Sequence, residues 1–398
     1  MLQNGGVQPV RNVLFSFAGG IGHLSPMLPV ARALRGAGHA VGVCGQANII
    51  DGTLGFDAYF PCGSSAPTST SESTGILATP DLDHEFSVIG RYFAGTLAPG
   101  RFGHVRQIID SWTPDLLVCD EMDFGAMIAA EQAGIPRVVV GVIASGALTR
   151  IEHIREPVSQ LRAVHGLRDD PDCTELAQDL IISPFPQSFR HPDFPLPETA
   201  VSVRPESDLD TGRHAAVDWL AAGDEQWRVY LTLGTIFNIE SGDLFLRVLE
   251  GLRRLPVRIL VTVGVNIDPA SIPIVADNVR IERFVPQSAV LPFCDLVVNH
   301  AGSGSVIGAL AQGVPVIALP MGADQELNAG RLTALKAGIT LDPITVTAGE
   351  IHGTALSILT SDSLRVGAQR MREEINEMPP PASVVEDLEA LMDRESQP

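Results

Sequence analysis

The sequence predicts an α/β protein of two doubly wound halves that face each other across a cleft. Three observations carry this reading. Apolar runs of four to six residues recur without the alternation of a half-exposed strand, as parallel strands covered on both faces require. The first run of each half ends in a glycine turn, Gly19-Gly20-Ile21-Gly22 in one and Gly234-Thr235 in the other. Between the halves lies a stretch, 183–225, that breaks the rhythm with a Pro-rich segment (183–197) and a polar one (208–214).

In the first half, residues 13–18 read as a buried strand. The glycine turn follows, then a helix over 26–36 with Pro26 in its first turn. Strands are predicted at 40–44, 116–120 and 137–141, the last two separated by a helix that ends at Gly134. Residues 208–225 are assigned as an interdomain linker. The second half carries strands at 228–233, 257–263, 279–284, 296–299, 314–319 and 339–341, with helices at 305–312, 325–336 and 363–377 among those between them. After Met378-Pro379-Pro380-Pro381 an amphipathic helix over 383–392 closes the chain. The resulting division is 1–207, linker 208–225, 226–377, and a terminal helical segment 378–398. Ligands of such sheets bind outside the carboxyl ends of the strands.

Composition narrows the function. The chain has 398 residues, with 47 Asp and Glu against 27 Lys and Arg, a formal charge of −20. Such a field repels nucleic acid and anionic membrane faces, so neither is expected as a partner. Hydrophobic residues at 45% against 19% charged exclude a disordered chain. The five cysteines show no C-x-x-C spacing, which argues against a zinc ribbon or a thioredoxin-type site; Cys119 and Cys294 read as reduced core thiols. The first residues lack the basic and apolar pattern of a signal peptide, and no apolar run approaches the roughly 18 residues of a membrane span, so a cytoplasmic protein is expected.

The segment 297–305 (VVNHAGSGS) runs a buried strand into small residues and then a helix. Gly302, Ser303 and Gly304 let backbone N–H groups approach an anion at the helix start, and His300 and Ser305 add side-chain donors, so a diphosphate cradle is predicted. A tight turn without a ligand is the alternative. Gly302-x-Gly304-x-x-x-Gly308, with Asp324 downstream, also approaches a dinucleotide fingerprint, although its third glycine comes one place late. Asp324 and Gln325 place a carboxylate and an amide at the end of the next strand, a pair suited to sugar hydroxyls; Asp324 as a helix N-cap is the competing reading. His23 stands at a helix N-terminus, whose dipole favours the neutral ring that a base needs. Asp120 could orient His23 and stabilise its charged form, with Glu121 as competitor; Asp120 is preferred because it closes the apolar strand. The D-x-D pairs Asp81/Asp83 and Asp208/Asp210 lie in polar stretches with no preceding strand, so no metal site is predicted. No P-loop and no G-x-S-x-G elbow occurs.

Six segments, GGIGHLSP (19–26), PDLLVCD (114–120), LTLGT (231–235), RFVPQ (283–287), HAGSGSVIGALAQGVPVIALPMGADQELNA (300–329) and MPPPASVVEDLEAL (378–391), occur in an order and spacing that resemble the inverting glycosyltransferases of the GT-B fold. Within these the chain is most similar to the actinobacterial enzymes that attach deoxysugars to polyketides and related natural products. The resemblance implies a transfer without metal or cofactor. It implies His23 as general base, supported by Asp120. It implies nucleobase contacts from Phe284, Val285 and Gln287, with Phe284 where a stacking Trp often stands. Thr235, His300, Gly302, Ser303, Gly304 and Ser305 would hold the diphosphate, and Asp324 and Gln325 the donor sugar. The last helix would cross back onto the first domain.

One departure from the family is informative. Where members that use UDP-sugars often carry a Glu for the ribose hydroxyls, this chain has Gly308. A dTDP-sugar donor is therefore expected. The acceptor is expected to be a hydrophobic small molecule walled by 65–106 and 142–154, with Phe86, Tyr92, Phe93 and Ile143 as contacts. A homodimer is left open. An epimerase of the same fold, an NAD-dependent oxidoreductase and a non-catalytic auxiliary partner are the competing functions.

Overall fold

The structure, a computed structural model, describes residues 9–50, 52, 54–62, 77, 79–177, 180–206, 214–234, 241–274 and 276–394. It contains two parallel sheets. The first comprises β1 (Asn12–Ser16), β2 (Ala40–Gly45), β3 (Ala58–Pro61), β4 (Leu116–Asp120), β5 (Arg137–Val140), β6 (Leu180–Ser183) and β7 (Val201–Ser202), in the order β3-β2-β1-β4-β5-β6-β7. The second comprises β8 (Trp227–Thr232), β9 (Val257–Thr262), β10 (Val279–Glu282), β11 (Leu296–Asn299), β12 (Val316–Ala318) and β13 (Gly338–Thr340), in the order β10-β9-β8-β11-β12-β13. This is the two-domain α/β architecture expected.

The uninterrupted apolar runs have a direct cause: alternate residues of each strand feed two different cores. In β1, Val13 and Phe15 face one core and Leu14 the other. In β4, Leu116 and Val118 share the first of these, Leu117 and Cys119 the second. The second sheet repeats the scheme, with Val229 and Leu231 of β8 on one side and Tyr230 on the other. Both faces are covered by helices, so no position along a central strand can be polar without a partner.

The closing helix, Val385–Arg394, returns to the first domain. Val384, Leu388 and Met392 bury in the β1–β4 core, Asp393 accepts from Arg11 at 2.9 Å, and Glu389 meets His39 at 3.0 Å. Part of the stretch assigned as a linker is helical. A helix spans Ala215–Ala221, because Ala216, Val217 and Leu220 fall on one face and pack with Tyr230 and Leu260 of the second domain. The Pro-rich segment also carries structure: Phe185 and Phe189 reach into the same core. Asp81 is likewise not a free loop carboxylate. It caps the helix Leu82–Val88, accepting the N–H groups of Asp83 and His84. Asp208 and Asp210 lie outside the described residues.

Beneath the first sheet's carboxyl edge lies a buried polar cluster that no sequence motif marks. Arg101, 6% exposed, holds Asp123 through Nη2 at 2.6 Å and Nε at 3.2 Å, and Ser16 Oγ donates to the same carboxylate at 2.7 Å. The guanidinium also meets Cys62 Sγ, which stands 3.4 Å from Cys44 Sγ. The hydrogen bond from Cys44, aided by Arg101, holds the Cys62 thiol below the ordinary value, whereas burial pushes Cys294 far up. Cys62 also lines a surface cavity of about 300 Å³. Exposure alone ranks Cys294 as the most reactive thiol, but the thiolate is the nucleophile. Peptide mapping after brief iodoacetamide treatment at pH 8 should find Cys62 alkylated ahead of Cys294; the reverse order would contradict this electrostatic assignment.

Candidate active site

The order of each sheet reverses once, between β1 and β4 in the first and between β8 and β11 in the second. At such a switch point, the connections leaving adjacent strands diverge to opposite faces and open a crevice. β1 leads into the turn that carries His23, and β4 ends at Asp120, with Ser16 beside Cys119 in register. β8 leads to Gly234, and β11 ends at Asn299, one residue before His300, with Thr232 beside Asn299. His23 and Asp120 therefore stand at one crevice that the topology creates and His300 at the other, whereas Phe284, Val285 and Gln287 follow β10, and Asp324 and Gln325 follow β12.

His23 lies in the first helical turn, Ile21–Leu24, its N–H bonded to Gly20 O at 2.9 Å. Gly19 makes room for the ring: a Cβ there would lie 2.1 Å from His23 Cδ2. Asp120 is fully buried and pinned by the N–H groups of Ala18 (2.6 Å) and Met122 (2.7 Å). Its Oδ1 stands 3.3 Å from His23 Nδ1, an ion-pair distance without the alignment of a full hydrogen bond. Catalytic contacts of this type are often loose without substrate. Glu121, the competing carboxylate, is occupied elsewhere: its Oε1 accepts the N–H groups of Val142 (2.6 Å) and Ile143 (2.8 Å).

The expected effect of the helix dipole on His23 does not prevail. Burial lowers the imidazole pKa, but Asp120 and, less strongly, Glu121 and Asp324 outweigh it, and the net displacement is upward. Asp324 belongs to the second domain, so the two crevices share one electrostatic field.

In the second domain, Ala301 adopts a left-handed conformation (φ 65°), and Gly302 caps the helix Ser303–Ala311. The His300 ring is wedged between two glycines; a Cβ on Gly234 or Gly302 would lie 2.6 or 2.5 Å from its Nε2. Burial depresses this histidine to about 4, with only partial compensation from the Thr232 backbone, so it is a neutral donor at pH 7. Ser305 Oγ accepts from Gln287 Nε2 at 3.1 Å. Thr235 lies outside the described residues. Phe284 is 67% exposed in the loop after β10, whereas the Val285 side chain is buried in the core, so only its backbone is available to a base.

Asp324 occupies the N-cap position of the helix Gln325–Ala334 without capping it through its side chain. Its Oδ2 instead accepts from Ser303 Oγ and from Asn328 Nδ2 at 2.6 Å. Burial raises its pKa, an effect that the Ser303 and Asn328 bonds oppose. Gln325 Oε1 accepts the Met321 N–H at 2.7 Å. Asn328 was not marked by any sequence argument.

The predicted acceptor residues divide. Phe93 stacks on His23 with ring centroids 5.8 Å apart and an interplanar angle of 16°, and Tyr92 meets Phe93 edge-on at 5.3 Å. Phe93 sits in a π-helical stretch, Ile89–Leu97, a geometry frequent at functional sites. Phe86 is covered by the Arg150 guanidinium, 4.7 Å from its ring centroid, and Ile143 is buried. Glu85, beside Phe86, reaches the Ala323 backbone across the cleft. No group of three or more His, Cys, Asp or Glu side chains converges on a metal-sized site among the described residues, and none of their helices is long and apolar enough to cross a membrane.

Two glycines separate packing from ligand contact. Gly302→Ala would displace His300, whereas a Cβ at Gly304 meets nothing within 4 Å. If the loop cradles a diphosphate, Gly304→Ala should not lower the melting temperature, since alanine suits a helix better than glycine, yet its methyl should hold the phosphate off the backbone N–H groups and weaken nucleotide binding about tenfold. Calorimetric titration beside thermal melting decides; unchanged affinity would move the diphosphate off this face.

Comparison with known proteins places this geometry in a family. The profiles described as Erythromycin biosynthesis protein CIII-like match residues 68–234 (N-terminal domain) and 246–391 (C-terminal domain). The L-demethylnoviosyl transferase of Streptomyces niveus is 32% identical, over 95% of this chain and 97% of that protein. The erythronolide mycarosyltransferase of Saccharopolyspora erythraea is 27% identical, over 97% and 99% of the two chains. Among solved structures, the glycosyltransferase SnogD of Streptomyces nogalater superposes with a TM-score of 0.74 at 25% identity, covering 96% of this chain and all of SnogD. VinC, solved in complex with dTDP, shares the fold with a TM-score of 0.77 at 22% identity, covering 96% of this chain and all of VinC. The chain thus belongs to the erythromycin biosynthesis protein CIII-like family, and it is a glycosyltransferase of the GT-B fold.

Proposed function

We propose that this enzyme moves a deoxysugar from a dTDP-sugar to a hydroxyl of a hydrophobic natural-product aglycone, with inversion at the anomeric carbon. The observation that carries the proposal is the His23–Asp120 pair at the first sheet's switch point, close enough to Asp324, which follows β12 of the second sheet, for the two to interact electrostatically. The acceptor hydroxyl gives its proton to His23 as its oxygen attacks the anomeric carbon from the face opposite the nucleotide. Asp120 stabilises the imidazolium that forms, and its two backbone hydrogen bonds keep it from turning away. Asp324 and Gln325 orient the sugar. Charge on the departing diphosphate is met by the N-terminus of the helix Ser303–Ala311 and by His300 and Ser305, joined by Thr235. No step is routed through a metal or cofactor. Phe93 and Tyr92, packed against the base, offer the aglycone an apolar wall.

Two features favour dTDP. Gly308 supplies no carboxylate for a ribose 2′-hydroxyl, and a Cβ there already meets Leu291 Cδ1 at 3.3 Å and Gln287 Oε1 at 3.5 Å. The VinC relative of this fold was crystallised with dTDP. Kinetics with dTDP- and UDP-sugars side by side should give a kcat/KM about fivefold or more in favour of dTDP, the value of roughly 1 kcal/mol. A preference for UDP would contradict the donor assignment.

A further inference from the structure

Ser303 is predicted to be part of the diphosphate cradle, but the structure gives its hydroxyl three other partners. Ser303 Oγ donates its single proton to Asp324 Oδ2. It accepts the Ala144 N–H at 2.8 Å and an Asn328 Nδ2–H at 3.2 Å. Asn328 completes the set. Its amide nitrogen donates to Asp324 Oδ2 (2.6 Å) and Ala301 O (3.0 Å), and its Oδ1 accepts the Ser145 N–H at 3.3 Å. All these side chains are buried: Ser303 and Asp324 are 8% exposed and Asn328 is fully buried. The hydroxyl's one proton and two lone pairs are all assigned, and the two Asn328 N–H groups serve three acceptors, so one of them is shared. A buried network of this kind holds its members in one arrangement.

The network joins parts of the chain that are distant in sequence. Ala144 and Ser145 belong to the loop after β5, whose Val142 and Ile143 N–H groups are fixed by Glu121. That loop is the predicted acceptor wall of the first domain, and Asp324 is the predicted sugar-binding carboxylate of the second. Both relay bonds to Asp324 fall on Oδ2, so Oδ1 takes no part in the network.

We propose that Ser303 and Asn328 are positioning residues: they bind no ligand through their side chains, but they fix the Asp324 carboxylate for the donor sugar and tie it to the acceptor-wall loop. This rests on the assignment of Asp324 to the sugar. The relay should therefore matter for a nucleotide that carries a sugar and be indifferent to one that does not.

Isothermal titration separates these cases. The ligands are the nucleoside diphosphate sugar that the wild type binds best, chosen from dTDP- and UDP-sugars, and the corresponding bare nucleoside diphosphate. Ser303→Ala should weaken the sugar nucleotide about tenfold, as expected when a hydrogen bond to a charged group is lost, and change the bare diphosphate less than about twofold. Asn328→Asp, which keeps the size but replaces the donated N–H groups with a second carboxylate, should show the same selective loss and serves if Ser303→Ala does not fold. Equal weakening of both ligands would return Ser303 to the diphosphate, and unchanged sugar-nucleotide affinity would remove the relay from sugar recognition. Either result overturns the proposal. A wild-type preference for UDP would overturn the donor assignment alone, because the comparison is made within one nucleotide.

Discussion

Replacing His23 with alanine is expected to lower kcat about 10²–10⁴-fold, the usual contribution of a positioned general base, while nucleotide affinity changes little. Two structural facts separate these effects. The imidazole lies at the carboxyl edge of the first sheet, and the diphosphate loop belongs to the second. Its ring face stacks on Phe93, so alanine leaves an apolar gap on the proposed acceptor side instead of disturbing the donor crevice. The pH dependence carries a sign. Because carboxylates raise the imidazole pKa in spite of burial, the neutral base accumulates only above the ordinary histidine value near 6.5. kcat/KM should therefore rise with pH through a limb displaced upward from that value. The same shift has the opposite effect on stability. Protonated His23 is favoured in the fold, so its contribution is complete below the unfolded pKa and is lost as pH rises through the folded one. A pH-independent rate, or full activity in His23→Ala, would contradict the assignment.

Asp120→Asn is expected to cost both rate and stability. The carboxylate accepts a backbone N–H on each oxygen, from Met122 on Oδ1 and Ala18 on Oδ2. An amide presents an NH₂ to one of those N–H groups whichever way it is turned, leaving a buried donor unsatisfied at about 1–3 kcal/mol. At the same time the charge that supports imidazolium formation is gone. A loss of about 10²-fold or more in kcat is expected, together with a downward shift of the acidic limb toward or below the ordinary histidine value. Urea unfolding and the pH–rate profile of the same preparation measure the two effects separately. An unmoved limb would mean that Asp120 is structural only.

The two-half plan was legible because it is written in local pattern. A strand buried on both faces must be apolar throughout, and glycine turns at Gly19 and Gly302 mark where a ring comes too close for a Cβ. His23, Asp120, His300 and Asp324 could be picked out because each follows directly on an apolar strand or its turn. The edge strands β3 and β7 and their inner neighbour β6 are not predicted from the sequence, because none carries more than three consecutive apolar residues. Ser303 and Asn328 are a different case. A serine at a helix start reads equally well as an anion ligand, and its actual partner, Ala144, lies 159 residues away. The Arg101–Asp123 pair was hidden for the same reason, since a buried charge is visible only once the partner that neutralises it is in place. The formal charge of −20 does not bear on the proposed diphosphate site, which would rely on fixed dipoles and neutral donors at 300–305.

A single displacement driven by His23 must invert the anomeric carbon, so the configuration of the product decides the proposed mechanism. A donor of defined anomeric configuration, incubated with the wild-type enzyme and an accepted aglycone, yields a glycoside whose C1 configuration is read by proton NMR. The opposite configuration to that of the donor is expected at every time point, with the same product formed at a greatly reduced rate by His23→Ala. Retention of configuration would require a second displacement and would contradict the mechanism.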